Sequence, residues 1–355
     1  MELSGLKNEV IKNRSGDKMY NLIRRLYPIP RSITGDGVRK TLDIISGINP
    51  LTIHEVPSGT KVFDWEIPPE WNIKDAWIKN SRGEKIVDFG KSNLHVLNYS
   101  VPVKKKVNLK ELKEHLFTLP EYPEWIPYRT SYHNSNWGFC MAHNQFKQLK
   151  EDEYEVLIDS ALKPGHLTYG EYFIQGKSND EVLISCHICH PSLSDDNLSG
   201  IVVSTYLALL LGKLKLQYSY RFLFIPGTIG SIMWLSRNEE KTNRIKHGLV
   251  LTLLGDKEKF HYKRSRKGNA EIDRIAEYIL KQSGEEHSIM DFYPYGYDER
   301  QYCSPGFNLP VGRLSRAVHG KFPEYHTSAD NMEFVHPEKL AGSLSLILDI
   351  FNLIE

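Results

Sequence analysis

The sequence predicts an α/β fold: a mixed, mostly parallel sheet between helices, with a small β-rich domain inserted into it. Two observations carry this. From residue 150 onward, short apolar runs alternate with longer helix-period runs, as in Val182–Cys186, Ile201–Leu211 and Tyr218–Ile225. That alternation favours parallel strands covered by helices on both faces. Before residue 150 the texture differs. Five of the six Trp (Trp65, Trp71, Trp77, Trp125 and Trp137) fall between residues 58 and 137, among closely spaced turn signals such as Pro68-Pro69 and Ser81-Arg82-Gly83. Short alternating runs between turns read as strands of a separate small sheet.

The elements follow in order. Met19, Leu22, Ile23 and Leu26 recur at helical spacing, and Pro28 and Pro30 end that helix. Gly35-Asp36-Gly37 restarts one, with Val38, Leu42 and Ile45 on a common face. Thr52–Val56 reads as the first strand. The α/β domain is expected over 1–57 and 150–355, and the inserted domain over 58–149. The inserted Trp are expected in its core and docking face; a sugar-stacking platform is the less favoured reading. Tyr154–Ser160 and Gly170–Gly176 read as strands, close enough for a hairpin. Gly248–Leu254 reads as a further buried strand, Glu271–Leu280 as an amphipathic helix, and Leu340–Ile354 as the final one.

Composition excludes several classes. The net charge of +1 over 355 residues argues against a nucleic-acid partner. No apolar run approaches a membrane span. The polar, charged start, Met1 to Lys18, does not look like an export signal. Four cysteines, Cys140, Cys186, Cys189 and Cys303, suit a reducing cytoplasm.

The chemistry concentrates at Val182 to Gly200. A buried strand ends in His187, a polar turn carries Asp195 and Asp196, and Asn197-Leu198-Ser199-Gly200 leads into a helix. Ligands bind at that edge of an open α/β sheet, and imidazole with carboxylate suits zinc. The same stretch spells Cys186-His187-Ile188-Cys189-His190, the form of a covalent haem site. The lack of an export signal and the position at the end of a strand set that reading aside. Near the other end stands Pro323-Glu324-Tyr325-His326-Thr327-Ser328-Ala329-Asp330.

Together these two segments resemble the co-catalytic zinc aminopeptidases, which carry a His after a strand, then Asp-Asn-x-Ser-Gly, and later His-Thr-x-x-Asp. The resemblance sharpens toward an uncharacterised, aminopeptidase-like branch with an inserted domain, linked to polysaccharide biosynthesis. Its phrases recur as Pro30-Arg31-Ser32-Ile33-Thr34-Gly35, Trp137-Gly138-Phe139-Cys140, Leu167-Thr168-Tyr169-Gly170-Glu171 and Tyr302-Cys303-Ser304-Pro305-Gly306. The resemblance implies a zinc-aminopeptidase-like fold. It also implies one or two zinc ions on His187, Asp196 and His326, with Asp256 as a further candidate ligand. His190 is read as a hydrogen-bonding group behind the ligands. Asp298, and Tyr295 or Tyr297 as a hydrogen-bond donor, are expected to face substrate with Arg300, and Arg266 in the basic run Tyr262–Gly268 is a candidate for a substrate anion.

One position departs from the pattern. Where the family carries Glu after the strand Tyr218–Ile225, one as general base and a paired one as zinc ligand, this chain has Gly227, so either a base or a ligand is missing. A positioned general base contributes about 10²- to 10⁴-fold in rate, so no catalytic residue is assigned. The expected function is a zinc-dependent amide or peptide hydrolase, impaired by Gly227. Two alternatives stand beside it: a non-catalytic peptide- or glycan-binding protein that retains the metal pocket, and an amidohydrolase that deacylates an amino-sugar or glycan precursor. The expected partner is a small peptide or glycan-related substrate, with homo-oligomerisation left open.

Overall fold

The computed structural model describes residues 3–12, 14–132 and 134–355. Met1, Glu2 and Asn13, part of the segment read above for an export signal, lie outside them. An eight-stranded sheet forms the centre. Its strands run in the spatial order Thr52–Pro57, His166–Ile174, Ser219–Ile225, Glu181–His187, Ile245–Leu251, Val311–Ser315, Phe260–Lys263 and His287–Met290. The four middle strands are parallel, and both flanks add antiparallel pairs.

The strand Glu181–His187 shows why the sheet sits between helices. Val182, Ile184 and Cys186 face one apolar cluster, while Leu183 faces another. Strand neighbours point to opposite faces, so a strand apolar on both must be covered twice. The helices Ser15–Leu26, Gly200–Leu211, Glu271–Ser283 and Pro337–Ile354 supply one cover. Ile229–Arg237, with Met233, Trp234 and Leu235 buried, contributes to the other. Among the described residues no helix is long and apolar enough to cross a membrane.

The second sheet orders Lys85–Asp88, Glu70–Lys79, Glu153–Lys163 and Val103–Asn108. It departs from the expected layout in one respect. Glu153–Lys163 lies beyond residue 149 yet pairs with both Glu70–Lys79 and Val103–Asn108. It does not pair with His166–Ile174, which joins the central sheet, so the two consecutive strands form no hairpin. Its apolar side chains hold it there: Tyr154, Val156 and Ile158 pack with Ala76, Ile78, Trp137 and Phe139 in the small sheet's own core. Trp71, Trp77 and Trp137 are buried, while Trp65 and Trp125 are half-buried.

Candidate metal centre

His187 ends its strand at the carboxyl edge of the central sheet, and the next turn must return to a helix. Each residue of that turn is pinned. Asn197 Nδ2 donates to the carbonyls of His187 (3.2 Å) and Leu251 (3.3 Å), and its Oδ1 accepts from Gly200 N and Leu253 N. Ser199 Oγ donates to Asp195 O (2.7 Å) and accepts from Leu254 N (2.9 Å). Gly200 must be glycine, because a Cβ there would meet Asn197 Oδ1 at 2.3 Å and Leu251 O at 2.5 Å. Asp330 accepts from the amides of Asp195 (2.6 Å) and Asp196 (2.9 Å). The motif Asp-Asn-x-Ser-Gly is therefore a clamp that aims one side chain, Asp196.

Three segments converge there. His187 Nε2 lies 2.9 Å from Asp196 Oδ1, and His326 Nε2 lies 3.0 Å from Asp196 Oδ2. His190 joins them, with Nδ1 3.4 Å from Asp196 Oδ1 and 3.3 Å from His187 Nε2. His187, His190 and Asp196 form a group whose ligand atoms lie within 4.8 Å of one another. His326, with 28% of its side chain exposed, marks the open side.

Burial pulls the His187 pKa down to about 4, against the attraction of Asp196, which keeps its ring neutral. Burial also lowers His326. Burial pushes the Asp196 carboxyl upward, but the surrounding imidazoles outweigh it and hold the group well below the usual carboxylate range. Neutral imidazoles around an ionised carboxylate are the donor set a divalent metal requires. Asp196 Oδ2 and His326 Nε2 give the clearest sign of fit. Both are buried and lack a hydrogen-bond partner despite their 3.0 Å separation. Buried polar atoms are rarely left unpaired, and a cation between these two would satisfy both.

His326 depends on the inserted region. Its backbone is left-handed (φ 56°), a costly conformation for a non-glycine residue. Tyr128 N donates to His326 O (2.7 Å), Ser328 N donates to Ile126 O (2.8 Å), and Ile126 N returns to Ser328 Oγ (2.9 Å). The Tyr128 ring stands edge-on to both His190 and His326. A cleft of 490 Å³ opens beside His326, lined by Leu119 and Tyr122 on one side and Phe322, Tyr325 and Thr327 on the other.

The remaining predicted residues divide. Asp256 stands apart from the cluster: its oxygens accept from Glu258 N and Ala317 N, and its charge, after burial, pushes the pKa of Asp195 up. The basic run is dispersed. Lys263 is buried on Glu299, Arg264 pairs with Glu277 and Asp291, and Arg266 is exposed on a turn. Tyr295 is half exposed, and its carbonyl accepts from Lys263 Nζ (2.6 Å). Asp298 is buried, accepting from Ser231 Oγ (3.2 Å), and Arg300 is half-buried beside it. Tyr297 stacks on His187 with ring centres 3.7 Å apart.

Sequence reasoning missed two groups. Arg31 is fully buried and donates to His190 O (2.9 Å) and Leu26 O (2.6 Å) with no carboxylate among its hydrogen-bond partners. Its phrase, Pro30 to Gly35, was visible but carried no role. Arg313 and His319 lie behind the site, 3.3 Å apart, and His319 stacks on Tyr297; no spacing in the sequence links them to it.

With that geometry in place, comparison with known proteins is informative. The family model described as Domain of unknown function (DUF4910) matches residues 20–355. The chain belongs to this family. A Clostridium acetobutylicum protein, named for polysaccharide biosynthesis and an aminopeptidase-like domain, is 55% identical over 350 residues, covering 98% of this chain and 80% of that one. A crystal structure from Clostridium acetobutylicum, named as a peptidase, is also 55% identical. It has a TM-score of 0.96 and covers 98% of this chain and 83% of its own. A zinc aminopeptidase from Bacillus subtilis shares the fold at 12% identity, with a TM-score of 0.66, over 96% of this chain and 95% of its own. The central sheet and its helices thus have the zinc-aminopeptidase architecture.

Proposed function

We propose that the chain is a zinc-dependent hydrolase of the aminopeptidase type, cleaving an amide or peptide bond in a small peptide. The observation that carries this is the convergence of His187, Asp196 and His326, with Asp196 Oδ2 and His326 Nε2 buried and unpartnered. These three residues would hold the metal. When bound, zinc supplies Lewis acidity toward the substrate carbonyl.

The chain's own residues do the rest. Asp330 and Asn197 aim Asp196 and the His187 backbone. Tyr128 covers the histidines on one side, and Tyr325 stacks on His326 at 3.9 Å, which keeps solvent from that face. No carboxylate stands at position 227, so proton transfer there lacks its usual agent and turnover should be slow. The second reading, deacylation of an amino-sugar or glycan precursor, draws support from the name of the 55% identical relative. The stacked Tyr122 and Trp125 rings (4.7 Å), Tyr122 itself lining the cleft, also favour it, since flat rings suit sugar faces. The four unpaired cysteines support a reducing, cytoplasmic setting.

The test is metal analysis after expression with zinc, followed by assay of aminoacyl anilides against N-acylated amino sugars. We expect stoichiometric zinc, abolished by Asp196→Ala, and slow turnover of one substrate class. Protein that takes up no zinc would sink the hydrolase reading and leave a binding scaffold.

A further inference from the structure

Gly227 leaves a gap in the ligand pattern, and the structure shows what occupies it. A Cβ at residue 227 would lie 2.0 Å from Tyr297 Cε1 and 2.9 Å from His187 Cβ. The Tyr297 ring therefore sits where a side chain at 227 would begin. Its hydroxyl lies 3.3 Å from His190 Nε2 and 3.7 Å from Cys189 Sγ, and Cys189 Sγ lies 3.7 Å from Gly227 O.

We propose that His190 Nδ1 takes the coordination place left open by Gly227, and that Tyr297 is a positioning residue that holds His190 in the tautomer needed for it. This rests on the metal reading above. A carbonyl oxygen only accepts, so Cys189 S–H donates to Gly227 O. That leaves two lines: the Tyr297 hydroxyl donates to His190 Nε2 while His190 Nδ1–H is given to Asp196 O at 3.2 Å, or the hydroxyl donates to Cys189 Sγ and accepts from His190 Nε2–H. A metal on His190 Nδ1 selects the second line, in which every donor has an acceptor and Nδ1 offers its lone pair. Nδ1 is aimed at Asp196 Oδ1 at 3.4 Å and at His187 Nε2 at 3.3 Å, the two ligand atoms with which it would share a cation. Metal-bound imidazoles commonly give their other N–H to a fixed acceptor, which sets ring orientation and tautomer. Arg31 adds to the case by fixing His190 through its carbonyl.

Glycine at 227 is part of the device, since any side chain there displaces the Tyr297 ring. Restoring a side chain should then damage the site rather than repair it.

The test measures zinc affinity by competition with a chromophoric chelator and counts imidazole ligands by X-ray absorption. The parent should show three imidazoles and His190→Ala two. Tyr297→Phe keeps the ring packed on Gly227 and His187 and loses only the hydroxyl. It should weaken zinc by about 10- to 100-fold, the range for loss of a partner behind a ligand. Gly227→Ala should weaken zinc to a similar degree. Nitrogen NMR of the zinc form should report Nε2-protonated His190. Stoichiometric zinc on two imidazoles, or Tyr297→Phe binding as tightly as the parent, overturns this inference and leaves the hydrolase reading standing. No zinc uptake at all overturns both.

Discussion

Asp298 shows how much a single buried carboxyl can disclose. It is fully enclosed, one oxygen accepts from Ser231 and the other has no partner. Burial, with Glu299 adjacent in sequence, pushes its pKa up to about 8. A raised pKa means the folded state holds the proton more tightly than the unfolded chain. Its contribution is therefore complete below the ordinary carboxyl pKa of 3.8 and drains away as pH rises through about 8, at about 1.4 kcal/mol per pH unit. Asp298→Asn removes that loss. Its urea midpoint should exceed the parent's at pH 9 and match it near pH 4; parallel pH curves would show that Asp298 is not protonated in the fold. The sequence marked Asp298 as a pocket residue. It could not show that the group is sealed from water, because burial is set by Ser231 and the packed loop around it.

At the level of elements, the connection from Pro30 to Gly35 between two helices has a purpose beyond joining them. It plants Arg31 in the interior, where burial lowers its pKa to about 10, and spends the guanidinium on the carbonyls of His190 and Leu26. Removing it strands those carbonyls, a cost of about 1–3 kcal/mol each, but also relieves the burial of an unpaired charge, a penalty of several kcal/mol. The two oppose each other. Arg31→Met should change the unfolding free energy little while weakening zinc by about 10-fold as the His190 loop loosens. A variant that unfolds readily yet binds zinc normally would make Arg31 a purely structural residue. The strand ending at His187, the turn at Asp196 and the helices at 200 and 337 were all legible from apolar period and motif. The strand Glu153–Lys163 was misplaced because alternation reports that a strand is half-buried, not which sheet it joins. The contact between His190 and Tyr297 could not be read, because the two lie more than a hundred residues apart in sequence.

For the whole molecule, the metal pocket ties together distant parts. His187 ends a strand of the central sheet and Asp196 stands in the turn after it, while His326 is held by a loop sewn to the segment around Tyr128. Zinc that binds only the assembled pocket stabilises the whole fold by mass action, about 2.7 kcal/mol when free zinc is a hundredfold above its dissociation constant. Calorimetry should show a single unfolding transition that rises with added zinc and falls with chelator; a melting temperature indifferent to both would mean that the pocket is not tied to global folding.

The seating of Tyr297 over Gly227 also bears on how such a chain can change over generations. With the aromatic ring in place, each single replacement at 227 meets a steric obstacle. A carboxylate could stand there only with a smaller residue at 297, and each of the two changes made alone disturbs the packing on His187. The pair is locked: neither substitution is free until the other has been made.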